Sequence, residues 1–171
     1  AAKEAGAAFV AMTGLGPRDG PRLAAARKFG VDLTIDVTRD DPVHALRKAT
    51  GRLADVVVDV TAKAPGAFAD AVALAQTGGR VVVAGSRGGG GAPGFEPDLL
   101  VFKELRVFGS LGVDYPVYRS AIELLASGRW PFTELSRDVT GFAGLPRVLD
   151  VLAGAEPEQI PALHSVFVPT A

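Results

Sequence analysis

The chain has 171 residues, with 18 Lys and Arg against 19 Asp and Glu and a formal net charge of −1. Charges of both signs are interspersed rather than gathered in blocks, which argues against nucleic acid or an anionic membrane surface as a partner. No cysteine, no apolar run long enough to cross a bilayer and no charged-then-apolar leader can be read, so the expectation is a cytoplasmic domain of ordinary size without a disulfide framework.

The first residues, "AAKEAGAAFVAMTG", read as the end of an amphipathic helix running straight into a strand, so the chain is expected to begin in mid-element. Short apolar runs recur at residues 9–13, 33–37, 55–60, 80–84 and 106–109. They are valine-rich and nearly continuous rather than alternating, the pattern of parallel strands covered on both faces. Helical segments lie between them. One has Asp19 or Gly20 before Pro21 and stops at Phe29-Gly30; the next takes Asp41 as N-cap and Pro42 at its first position and stops before Gly51; Pro65 opens a third, closed by Gly78. Residues 114–127 carry Val117, Ala121, Leu124 and Leu125 at helical spacing, with Gly128 as the stop. Residues 144–153 place Leu145, Val148, Leu149 and Leu152 on one helix face. Two further short strands are expected at residues 134–139 and 164–169, each with a bare backbone edge. Alternating strands and helices joined by right-handed crossovers predict an α/β, doubly wound parallel sheet.

The stretch "GGRVVVAGSRGGGG", residues 78–91, does not read as a phosphate loop. Such a loop needs G-x-G-x-x-G directly opening a helix, and Pro93 and Pro97 break the segment immediately after the glycines.

From residue 22 to residue 85, "RLAAARKFGVDLTIDVTRDDPVHALRKATGRLADVVVDVTAKAPGAFADAVALAQTGGRVVVAG", and on through "KELRVFGSLGVD", "AIELLASGRWPF" and "HSVFVP", the chain resembles the cofactor domain of the medium-chain, zinc-type alcohol dehydrogenases and reductases. The resemblance implies a Rossmann-type dinucleotide-binding fold whose first, central strand, with its Gly-rich phosphate turn, would precede Ala1. It implies a partial Rossmann domain over residues 1–133, and a helix and strands at 134–171 that return to an N-terminal catalytic domain. Zinc would sit on that absent domain, the cofactor would be NAD or NADP, and the parent enzyme would be a homo-oligomer. The glycine run at residues 88–91 then falls in a loop beside the nicotinamide.

Ligands of open α/β sheets bind beyond the carboxyl ends of the strands. Gly14, Leu15 and Arg18 come after the strand at 9–13, Thr61 and Ala62 after the one at 55–60, and Gly85 and Ser86 after the one at 80–84. Ser110 and Leu111, in "GSLG", match the stretch that borders the nicotinamide carboxamide in the family. NAD selection calls for an acid near the end of the second strand of this fold, and a 2′-phosphate favours arginine. Gly14 occupies the acidic position while Arg18 and Arg22 stand close by, so the reading leans to NADP; each arginine reads equally as a solvated charge, and Asp19 as a cap of the next helix.

Asp36, Asp55 and Asp59 read as polar strand ends that satisfy loop amides rather than as acid–base pairs. His44 and His164 are far apart and have no cysteine to complete a zinc set. A methyltransferase could share "ADVVVDV" and "GGRVVVAG", and a non-catalytic nucleotide-binding module is a second alternative. A hydrolase built on Ser110, Asp138 or Asp150, and His164 fails because Phe108 stands where G-x-S-x-G needs glycine. Neither Tyr115 nor Tyr118 precedes lysine at the Tyr-x-x-x-Lys spacing of short-chain dehydrogenases.

Overall fold

The structure is a computed structural model that describes residues 1–62, 64–155, 159–160 and 162–169; Thr170 and Ala171, in the expected C-terminal segment, lie outside the described residues. The elements run β1 (Ala11–Gly14), α1 (Gly16–Lys28), β2 (Leu33–Asp36), α2 (Pro42–Thr50), β3 (Ala54–Asp59), α3 (Ala67–Leu74), β4 (Ala75–Val83), α4 (Asp98–Phe102), β5 (Arg106–Gly109), α5 (Tyr115–Ala126), β6 (Arg137–Thr140), α6 (Leu145–Ala153) and β7 (His164–Phe167). Strand order is β1-β2 in one sheet, β3-β4-β5 in a second and β6-β7 in a third. This is the α/β alternation of a Rossmann-type fold with its strands divided between sheets. Among the described residues β1 and β3 are each hydrogen-bonded along one edge only.

The chain forms two compact units, one of residues 35–119 and one of residues 1–34 with 120–171. In the first, β3, β4 and β5 pair in parallel, with Val57 opposite Val81 and Val81 opposite Val107. Ala71 and Ala75 pack with Val81, and Val57, Phe68, Val83 and Leu105 close around them. This is the covered face of the sheet, although Val107 at its β5 side stays 40% exposed. Val56, Val58 and Phe108 on the other side remain about half exposed, so the expectation of strands buried on both faces holds for one face.

Local chemistry sets both ends of α2. Asp41 Oδ1 accepts the Val43 and His44 amides at 2.7 and 3.0 Å, Pro42 supplies the first helical position of α2, and Gly51 ends it in the left-handed conformation. The end of α3 differs from the sequence expectation. It stops at Leu74, four residues before Gly78, and β4 starts at Ala75. The Lys103 ammonium reaches back to donate to the Val72, Ala73 and Ala75 carbonyls at 2.9, 2.8 and 2.8 Å, which caps the helix from thirty residues away. Burial, and then the nearby Arg47 charge, push the Lys103 pKa down from the ordinary lysine value.

In the other unit, residues 1–7 form hydrogen-bonded turns rather than the expected helix end. The Ala7 amide bonds the Ala2 carbonyl at 3.1 Å, the Gly6 amide bonds that of Lys3 at 3.0 Å, and Gly6 has φ of 87°. Helix α1 starts earlier than expected, at Gly16, with Pro21 inside it. Asp19 reaches back to the Leu15 amide at 2.8 Å, which stabilises a first turn that the prolines alone would not have located. Phe29 stacks near Trp130 and Phe132, and Glu4 accepts from Trp130 Nε1 at 2.8 Å. Helix α6 buries Val148 and Val151, while Leu149 and Leu152 stay about half exposed, so its inner face is rotated from the expected one. The expected bare strands pair with each other: β6 and β7 are parallel, with Val139 opposite Val166 and the Phe142 and Phe167 rings edge to face.

Lys3 and the Val10 amide both bond Asp32, at 2.7 Å each, and hold its carboxyl below the usual carboxylate range. A lowered folded-state pKa gives stability that is present above the ordinary Asp value and is lost as pH falls through the lowered one. Asp32→Asn is therefore expected to flatten the acid limb of stability against pH, as measured by chemical denaturation. Lys103→Met leaves buried carbonyls at the end of α3 without a donor, and is expected to cost about 1–3 kcal/mol in the same measurement.

Candidate functional site

The carboxyl ends of β3, β4 and β5 bring Thr61, Ala62, Gly85, Ser86, Ser110 and Leu111 to one edge of one sheet. The Ala84 and Gly85 amides bond the Asp59 carbonyl at 2.8 and 3.0 Å, and the Ser110 amide bonds the Val83 carbonyl at 2.9 Å, so the three strand ends are stitched past their last ladder residues. Gly85 lies hard against the chain at Thr61. A Cβ there would overlap the Thr61 carbonyl oxygen and come within 2.7 Å of the Thr61 nitrogen and carbonyl carbon. Glycine is required at that position because no side chain fits between the two turns. Ala62, Ser86 and Ser110 are exposed, and Leu111 is fully so.

Asp59 is buried, with 5% exposure, and is the hub of this edge. Its Oδ1 accepts the Thr61 amide at 3.0 Å and its Oδ2 is paired with the Arg87 Nη2. The expectation that Asp59 satisfies a loop amide is met, but its ion pair with Arg87 was not foreseen. The signal for it was present: an acid closing a run of three valines, and a single long cationic side chain inside a glycine run. Asp36 also satisfies a loop, accepting from the Thr38 amide and hydroxyl at 3.0 and 2.6 Å. Asp55 instead meets the side chains of Arg52 and Gln76.

Gly14, Leu15 and Arg18 belong to the other unit, at the end of β1 and the start of α1. A Cβ on Gly14 would stand 3.0 Å from the Asp19 Cβ and 3.1 Å from Leu23, so a side chain there would require those two side chains to yield by a few tenths of an ångström. Asp19 is committed to the Leu15 amide and to Arg22, at 2.8 Å each, which neutralises Arg22. Arg18 is exposed and has no ion pair among the described residues.

No group of three or more His, Cys, Asp or Glu among the described residues could hold a metal ion. The residues present therefore do not fit a zinc centre. The small, exposed Ala62, Ser86 and Ser110 stand at a strand-end edge, the place where dinucleotides bind in open α/β sheets. Among the described residues no helix is long and apolar enough to cross a membrane.

The profile of the zinc-binding dehydrogenases matches residues 1–127. The chain belongs to the zinc-binding dehydrogenase family. It is 60% identical over 170 residues to a probable alcohol dehydrogenase of Mycobacterium tuberculosis (strain ATCC 25618 / H37Rv), covering 99% of this chain and 46% of that protein. The chain thus spans about half the length of the curated relatives it matches. A protein assigned to the zinc-binding dehydrogenases, from Sinorhizobium meliloti 1021 and solved bound to NADP, matches with a TM-score of 0.76 at 27% identity, over 98% of this chain and 47% of that one. An alcohol dehydrogenase from Escherichia coli CFT073 complexed with NADH matches in fold, with a TM-score of 0.73 at 18% identity, over 94% of this chain and 45% of that one. Membership of the zinc-binding dehydrogenases supports the dehydrogenase reading over the methyltransferase one.

Gly85→Val is expected to cost about 1–3 kcal/mol or more, because the added carbons meet backbone that cannot yield as a side chain would. Thermal unfolding measures this, and an unchanged midpoint would show that the two turns are not in contact. Ser110 stands without the glycine pattern of a nucleophile elbow, so a fluorophosphonate probe is expected to leave it unlabelled.

Proposed function

We propose that this chain is the dinucleotide-binding part of an NAD(P)-dependent alcohol dehydrogenase or reductase, in which hydride passes between a nicotinamide and an alcohol or carbonyl substrate. The observation that carries the reading is the strand-end edge built by Thr61, Ala62, Gly85 and Ser86, where glycine is obligatory at residue 85 and the small Ala62 and Ser86 are exposed. Thr61 and Ala62 lie along the cofactor, and Gly85, Ser86, Ser110 and Leu111 border its nicotinamide half. Gly14 and Leu15 approach the adenosine ribose, with Arg18 placed for a 2′-phosphate. When bound, the nicotinamide supplies the hydride chemistry; the residues of this chain bind it and orient it.

The preference is for NADP, because Gly14 offers no acid to the ribose and Arg18 is an uncompensated cation near the same strand end. Residues 1–133 form the partial Rossmann domain, and residues 134–171 return to an N-terminal catalytic domain that carries the zinc. The whole enzyme is cytoplasmic and homo-oligomeric.

Alcohol oxidation by the full-length polypeptide carrying this chain, assayed with NADP and with NAD, tests the reading. Activity is expected with both and better with NADP, and Arg18→Ala is expected to weaken NADP binding about tenfold while leaving NAD nearly unaffected. This chain by itself is expected to be inactive and to bind either dinucleotide feebly in a calorimetric titration, since among the described residues no G-x-G-x-x-G directly opens a helix to receive the pyrophosphate. Micromolar binding by this chain would mean that the phosphate site is misplaced, and absence of nicotinamide-dependent turnover in the full-length polypeptide would overturn the enzyme reading.

A further inference from the structure

The two turns of the site are joined by a buried ion pair to which the cofactor roles above assign nothing. The Asp59 side chain is 2% exposed and that of Arg87 is 12% exposed. The Arg87 guanidinium also lies over the Phe68 ring, 5.8 Å from its centroid, and Phe68 in turn packs edge to face against Phe95 at 4.9 Å. Arg87 is thereby held by a charge on β3 and by an aromatic face on α3.

The segment that Arg87 serves has little else to hold it. In residues 85–91 it is the only side chain larger than serine, and four glycines come after it. Gly88 and Gly89 have φ of 67° and 86°. The bonds within the segment are long: 3.4 Å from the Gly88 amide to the Ser86 hydroxyl and 3.5 Å from the Gly90 amide to the Arg87 carbonyl. Glycine loses more backbone freedom on ordering than any other residue, so a run of four resists a fixed path unless a side chain tethers it.

Stability is not a sufficient reason for the pair. Both charges give up water, and the Arg87 Nε is buried with no hydrogen-bond partner among the described residues. A buried ion pair typically gains nothing over apolar side chains of the same volume. What it does supply is directional geometry, because the same Asp59 holds the Thr61 amide with one carboxylate oxygen, Arg87 with the other, and the Ala84 and Gly85 amides with its carbonyl.

We infer that Asp59 and Arg87 are a positioning pair that fixes the turn at Thr61 and Ala62 against the turn at Gly85 and Ser86, so that a nicotinamide dinucleotide meets a preformed edge. The inference rests on the dinucleotide reading proposed above. Neither residue is assigned a contact with the reacting atoms; both act through the backbone that receives the cofactor.

The test uses the full-length polypeptide carrying this chain, with Arg87→Lys and with the double variant Asp59→Asn/Arg87→Met. The double variant removes both charges at once and keeps an amide oxygen for the Thr61 N–H, so it avoids stranding a lone buried charge. Three quantities are read: amide hydrogen exchange in residues 85–91, KM for NADP and KM for the alcohol. The double variant is expected to accelerate exchange at Ser86 and Gly88 at least tenfold relative to Val81, and to raise KM for NADP by a similar factor with KM for the alcohol unchanged. Arg87→Lys, which retains the charge, is expected to recover part of both effects. Unchanged exchange would overturn the tether, and accelerated exchange with unchanged KM for NADP would overturn the link to the cofactor; in either case the dehydrogenase reading stands. No turnover with either dinucleotide in the unaltered polypeptide would overturn that reading and the cofactor role of the pair with it, whereas exchange would still report whether the pair holds the loop.

Discussion

Asp59 satisfies four groups from the end of one strand, and the geometry of the candidate site depends on it. Its carbonyl receives the first two amides beyond β4, and its carboxylate receives the first turn beyond β3 and the only long side chain of the glycine segment. A buried carboxylate is costly unless its lone pairs are filled, and here protein groups fill them. The position needs an acid because the turns on either side both present donors. Gly85 obeys the same constraint: once its amide is drawn onto the Asp59 carbonyl, its α-carbon lies against Thr61 and no Cβ fits.

The sheet carrying this edge is held from below by a second non-local contact. Lys103, between α4 and β5, places one ammonium on three carbonyls at the end of α3, and so sets where that helix yields to β4. Ala75 begins β4 immediately after Leu74 ends the helix and stands opposite Ala54, and the register then shifts so that Arg80 stands opposite Val56. Valines at 57, 81 and 83 face α3, and Asp59 arrives at the rim on that same covered side. The packing of the α3 face and the chemistry of the strand ends thus share one side of the sheet.

What could be read from the sequence was what local chemistry decides. Asp41, Pro42 and Gly51 mark α2 because each acts on amides or dihedrals within one turn of itself, and the valine runs mark strands wherever they fall. The α/β alternation by itself made the carboxyl ends of the strands the place to look. Hidden were the features made by residues far apart in the chain. Gly78 looked like a helix stop, but it takes a left-handed turn inside β4 and its amide bonds the Lys103 carbonyl. Pro21 looked like a helix start, yet Asp19 anchors the turn before it. Arg87 drew no role from the sequence, because its partner is 28 residues upstream on a different element. The α6 face was misjudged for a different reason: Leu149 and Leu152 match helical spacing as well as Val148 and Val151 do, and only packing chooses between them.

The most direct test of the account is a crystal structure of the full-length polypeptide carrying this chain, grown with NADP. The account predicts the nicotinamide half of the dinucleotide along Thr61, Gly85 and Ser110, with the Asp59 and Arg87 pair intact. A dinucleotide bound away from the carboxyl ends of β3 and β4, or bound there with Arg87 swung out of its pair, would contradict it.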